Sequence, residues 1–186
     1  LIVIITGIVL QVLVHGHEYD MVAQSEDILE DCPSDPEHSF RNFVDLSNFT
    51  LRYSFADEVV EMGGQIVKIV DIDATDIVNE ISLYKWTRGQ WVPTLFSYSS
   101  ADSCKEFFDP RAPWYLIWSR HIYEEDRQCL YPKGVKPKSF AKPTISFPGG
   151  NIEGRYKVIV VVMIQSAKGV TKDHCCLEIK MDLYRT

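Results

Sequence analysis

Residues 154–186 constrain this chain more than any other stretch. Over residues 176–184 strict alternation puts Leu177, Ile179, Met181 and Leu183 on one face of a strand and Glu178, Lys180, Asp182 and Tyr184 on the other. That predicts one dry face and one wet face. The preceding strand, Gly154–Gln165, is apolar on both faces through Val158, Ile159, Val160, Val161, Val162, Met163 and Ile164. Both of its sides need cover, which predicts an antiparallel hairpin inside a sheet curved around an apolar interior. Parity does not say whether Val158, Val160 and Val162 or Ile159, Val161 and Met163 look inward.

The other end of the chain bears on compartment. Residues 1–14 carry no charge, and Val14-His15-Gly16 ends on a small residue of the kind signal peptidase accepts. The run is shorter than the roughly 20 residues a membrane helix needs, so residues 1–16 are expected to be a secretory signal peptide lacking its initiator Met and basic start. Their removal leaves the net charge of −7 unchanged. Five cysteines in a secreted chain predict two disulfides and one leftover thiol. Cys104 with Cys129 would close a loop of about 26 residues, and Cys32 with Cys175 or Cys176 one of about 145. Strand parity favours Cys176, because Cys175 is in phase with the inward Leu177 and Ile179. Asn48-Phe49-Thr50 is a glycosylation sequon on the polar side of an alternating strand.

About 170 residues suit one domain with a sizeable core. Residues 17–40 hold eight acidic side chains and neither Lys nor Arg, with Pro33 and Pro36, and are expected to be an extended, solvated segment tethered by Cys32. Residues 41–186 form the folded domain. Strands are expected at residues 49–55, 59–72 and 77–86. A hairpin turns at Thr87-Arg88-Gly89-Gln90, and Pro93 ends regular pairing. Pro113 should open a single helix over residues 113–125, with Trp114, Trp118 and Ile122 in one stripe. Trp114, Leu116, Ile117 and Trp118 are candidates to close the core or face a cavity. A last short strand is expected near Thr144–Phe147.

Catalytic motifs are lacking: no Gly-x-Ser-x-Gly elbow accompanies the histidines, and a non-enzymatic protein without cofactor is expected. His174-Cys175-Cys176 suggests a soft-metal site, but adjacent strand residues point to opposite faces, so a disulfide partner and a buried thiol are expected and no metal. Asp71-Ile-Asp73-Ala-Thr-Asp76 lacks the glycine and the terminal glutamate of a calcium loop. Lys133, Lys136, Lys138 and Lys142 suit either an anionic membrane surface or the acidic segment 17–40. The acidic balance speaks against nucleic acid.

The stretch Pro148-Gly149-Gly150-Asn151-Ile152-Glu153-Gly154-Arg155-Tyr156, the apolar strand after it, and the closing Cys176-Leu-Glu-Ile-Lys-Met-Asp-Leu-Tyr184 resemble the insect chemosensory-protein-B family, itself similar to the ganglioside activator protein. Residues 42–53 and Leu83-Tyr84-Lys85 share the resemblance. It implies a mostly β fold: an antiparallel β-cup, or open β-sandwich, with one short helix and an internal apolar cavity. It further implies a secreted protein that binds hydrophobic or lipid-like ligands in gustatory, contact pheromone perception, with a gustatory receptor or ion channel as possible partner. In such a cup Val158, Val160, Val162, Leu177, Ile179, Met181 and Leu183 would line the ligand site with the tryptophan helix. An extracellular interaction module and a lipid hydrolase are the other classes to weigh.

Overall fold

The computed structural model describes residues 16–69, 77–100, 102–127, 138–165 and 171–186. In chain order its strands are β1 (His17–Ala23), β2 (Glu30–Asp31), β3 (Val44–Asp45), β4 (Phe49–Ser54), β5 (Val59–Gly64), β6 (Val67–Lys68), β7 (Ile77–Thr87), β8 (Gln90–Ser100), β9 (Phe140–Ala141), β10 (Thr144–Phe147), β11 (Gly154–Gln165) and β12 (Thr171–Arg185). The protein is mostly β, as the alternation demands. The predicted signal peptide and the acidic motif 71–76 lie outside the described residues, except for Gly16 at the edge of the first.

The terminal hairpin β11–β12 is the centre of the main sheet, ordered β10-β1-β12-β11-β7-β8, with β2 also beside β12. Its register places Tyr156 opposite Met181, Val158 opposite Ile179, Val160 opposite Leu177 and Val162 opposite Cys175. β7 continues the same face through Leu83, Ile81 and Ile77, and β1 through Met21. Parity on this face is settled by packing, because Val158 joins one apolar cluster and Val162 another. The even-numbered valines therefore look inward.

The sheet is strongly curled. Phe96 of β8 and Phe147 of β10, from its opposite edges, meet edge to face at 5.8 Å. Tyr19, Tyr156, Met181 and Leu183 fill the concave face at this end, with Leu83, Ile145 and Phe147 packed on them. The segment between β10 and β11 closes it: Tyr156 Oη donates to Ile152 O at 2.8 Å, and Ile152 N donates to Tyr19 Oη at 3.3 Å. This is the floor of a β-cup. A smaller sheet, β4-β5-β9, carries its own cluster of Tyr53, Val60 and Met62.

Four expectations are corrected. Residues 17–40 include extended strands and are tethered by Cys32 as expected, but they are packed and not solvated, since β1 and β2 run along β12 and Cys176 N donates to His38 O at 2.8 Å. Their acidity hid an alternation in which Tyr19, Met21 and Ala23 share the inward face. The predicted helix 113–125 is α2 (Pro113–Ile117) only, followed by 3-10 turns at Ser119–His121 and Glu124–Asp126. A further one-turn helix, α1 (Ser103–Glu106), precedes it. The stripe parts at its first member. Trp114 stacks edge to face on Tyr98 at 4.7 Å, whereas Trp118 packs both on the small-sheet cluster and on the cluster of Ile66 and Ile122. Tertiary burial overrides a modest local helix propensity.

Pro93 does not end pairing either. It sits opposite Tyr84 on β8, an edge strand where a missing N–H is tolerated, beside an irregularity in the ladder. The hairpin turn itself forms as expected, with Arg88 and Gly89 both at positive φ. Finally, the expected strand 59–72 breaks after Gly64, whose φ of +80° turns the chain; an added Cβ there would lie 1.8 Å from Asn48 O.

Candidate functional site

Two surfaces qualify as candidates, and the sequence pointed to one of them. On the concave face Leu177, Met181 and Leu183 are buried, while Val158, Val160, Val162 and Ile179 are half-buried. Met181, Leu183, Val158 and Ile179 are spent on the floor of the cup, and Val162 on the cluster of Phe43, Ile77 and Cys175 at the opposite end. Val160 and Leu177 face each other between these clusters and belong to neither. Trp114 lies at the β8 side, where its Nε1 donates to Glu106 O at 3.1 Å. Trp118 bridges to the small sheet; Ile117 is half-buried, and the side chain of Leu116 lies outside the described ones. The structure therefore brings the hairpin residues together on one surface but separates Trp114 from Trp118.

A cleft among the described residues lies elsewhere. It has a volume of about 510 Å³ and runs between residues 27–31 and β4. Its apolar lining is Ile28, Leu29, Leu46, Phe49 and Leu51. None of the residues expected to line a cavity is in its wall, although Asp31 in that wall pairs with Leu177 of β12. The physical reason is the placement of the acidic segment: by pairing with β12 it creates a second wall opposite β4. Charged groups share the lining. Arg41 pairs with Asp31 at 3.1 Å, and Arg52 pairs with Glu26. Among the described residues Leu29 belongs to no packed cluster, whereas Ile28 and Leu51 pack toward Tyr53, and Leu46 and Phe49 toward Ile122.

The outer face of the hairpin is not simply wet. Glu178 is only 2% exposed, held by Lys157 Nζ at 3.0 Å and Lys180 Nζ at 3.1 Å, and Lys180 also reaches Glu30 at 2.6 Å. The rings of Tyr84 and Trp91 cover Lys157 at 5.5 and 5.3 Å. Burial pushes the Glu178 carboxyl up, but the two ammonium groups more than offset it and hold it below the usual carboxylate range. Sequence alternation could not reveal this, because Lys157 reaches Glu178 only through the ladder register.

The cysteines follow parity. Cys32 and Cys176 are bridged, with Cα atoms 5.6 Å apart, and Cys175 is a buried free thiol that burial pushes up to about 12. Cys104 is disulfide-bonded; its expected partner, Cys129, lies outside the described residues. Asn48 and Thr50 are both exposed, as the sequon requires. Lys142 is committed to Asp20 at 2.9 Å and Glu58 at 2.7 Å, and Lys138 lies 4.1 Å over the Tyr123 ring, while Lys133 and Lys136 are outside the described residues. Of the two settings expected for these lysines, Lys142 occupies the acidic one.

Sequence reasoning passed over one cluster. Asp35 Oδ1 lies 2.6 Å from His38 Nδ1 and Asp35 Oδ2 lies 2.8 Å from His174 Nε2, with the two imidazole rings stacked at 4.0 Å. His38 beside it pulls the Asp35 carboxyl below its usual range, with His174 adding to the effect, and Asp35 in turn raises His38. No family model matches the chain, and no curated protein matches it significantly.

Proposed function

We propose that this protein is a secreted carrier of a hydrophobic or amphipathic small molecule, held with its apolar part in the cleft between residues 27–31 and β4. The observation that carries this reading is the amphipathic lining of that cleft, in which Ile28, Leu29, Leu46, Phe49 and Leu51 lie beside the ion-paired Asp31, Arg41 and Arg52. Its volume of about 510 Å³ falls within the usual range for small-molecule sites, and its mixed lining suits an amphipathic ligand. An alkyl chain leaving water would gain roughly 25 cal/mol per Å² buried, enough for micromolar binding after association costs. The charged part of the lining suits a polar headgroup. The disulfide agrees with an oxidising, extracellular setting. Together with the resemblance to the insect chemosensory-protein-B family, this favours presentation of lipid-like cues in contact pheromone perception.

Titration with a fluorescent fatty acid tests the reading. Leu29→Trp fills the cleft from the one apolar wall residue outside the packed clusters, and uptake should fall at least tenfold. Ser99→Trp, on the exposed outer side of β8, should leave uptake unchanged. Equal binding by wild type and Leu29→Trp would refute the cleft. Loss of uptake in Val160→Trp as well would extend the site onto the concave face.

A second reading has its own observation. On the edge strand β8, Leu95 is fully exposed and Phe96 is 54% exposed. Free edges with apolar side chains serve strand-to-strand pairing, which favours an extracellular interaction module. Absence of alkyl uptake together with concentration-dependent self-association, lost in Leu95→Lys, would establish that class instead.

A further inference from the structure

We propose that Asp35, His38 and His174 form a binding site for a divalent transition-metal ion, zinc by its donor set. Two imidazole nitrogens and a carboxylate oxygen converge here, all within 4.8 Å of one another. That combination suits a borderline cation such as zinc, with water in the fourth position. At present both rings share the Asp35 carboxylate, at 2.6 and 2.8 Å. An ion held at about 2.0–2.1 Å from each donor needs donor separations near 3.3 Å, so the two contacts open by roughly 0.5–0.7 Å. The ring protons that now bridge to Asp35 move to the other ring nitrogens as the metal takes their place.

The site is held by its surroundings. Asp35 N donates to Cys32 O at 3.0 Å, and Cys176 N donates to His38 O at 2.8 Å. The Cys32–Cys176 disulfide thus ties the loop carrying Asp35 and His38 to the strand carrying His174, two residues away. The backbone is thus held in place, and what binding requires is that the two stacked rings splay so that both lone pairs aim at one ion. The three side chains are 32–40% exposed, which leaves water and an ion a path. His174 is therefore a ligand through partners distant in sequence. The adjacent cysteines take no part, since Cys176 is bridged and Cys175 points to the inner face.

Calorimetric titration of the metal-stripped, disulfide-intact chain with zinc chloride tests the site. The expected result is saturation at one ion per chain, a rise in the unfolding midpoint of roughly 5–10 °C at a hundredfold excess over the dissociation constant, and at least a tenfold loss of affinity in His38→Gln and in His174→Gln. His17→Gln should match wild type. Nitrogen-15 NMR of the histidine rings in wild type gives a readout that needs no variant: zinc should shift the rings of His38 and His174. Failure to saturate at one ion, unchanged affinity in both glutamine variants, or zinc-induced shifts confined to other histidines would each overturn the proposal.

Discussion

Replacing Cys32 and Cys176 together by Ser is expected to lower the unfolding midpoint by roughly 10–20 °C. The bridge spans a sequence separation of 144, and cross-linking so long a loop removes chain entropy from the unfolded state worth about 5 kcal/mol. That is a large fraction of the 5–15 kcal/mol typical of whole domains. The native-state share of the effect is local. Cys32 is fully buried, and the bridge holds β2 and the parallel contact of Ser39 with Cys176 against β12. Non-reducing mass mapping should first show the Cys32–Cys176 peptide and an unpaired Cys175. Thermal unfolding of the double variant then gives the number. An unchanged midpoint would show that the acidic segment is held by its ladder contacts alone.

Lys157→Met should cost about 3 kcal/mol at neutral pH, because it leaves the buried Glu178 carboxylate with Lys180 as its remaining partner. Lys180 is itself shared with Glu30, so it cannot fully compensate. The double variant Lys157→Met/Glu178→Leu should recover most of the loss. Methionine can occupy the space between Tyr84 and Trp91, and leucine removes the stranded charge while Lys180 keeps Glu30. The pH dependence has a fixed sign. A carboxyl held below its usual range in the folded state adds stability above its unfolded pKa and loses it as pH falls through the acid range. The gap between wild type and Lys157→Met should therefore shrink on acidification, as measured by denaturant unfolding at several pH values. A gap that widens in acid, or a double variant worse than the single, would contradict the buried-charge account.

Elements with one dominant local signal were readable from sequence. The hairpin β11–β12 and the choice of Cys176 over Cys175 follow from period-two alternation, the turn at Arg88-Gly89 follows from the freedom of Gly89 at positive φ, and the structure keeps each of them. What resisted reading depends on register. Glu178 looks like a surface residue until Lys157 is placed beside it, and Asp35, His38 and His174 look unrelated until residues 33–38 are laid on β12. The acidic density of residues 17–40 outweighed the quieter pattern Tyr19, Met21, Ala23. The cleft was missed for the same reason, since its wall is that segment. The aromatic stripe at 114–122 misled about helix length, because periodicity cannot tell a continuous helix face from a short helix and turns whose Trp118 and Ile122 meet in one cluster while Trp114 packs on Tyr98.

Native mass spectrometry of the protein secreted from insect cells asks most directly whether it carries an apolar molecule. Wild type should fly as a complex with a lipid-like adduct that added fatty acid displaces, and Leu29→Trp should fly bare. Wild type that is bare as secreted, and that stays bare after incubation with fatty acid, would contradict the carrier reading.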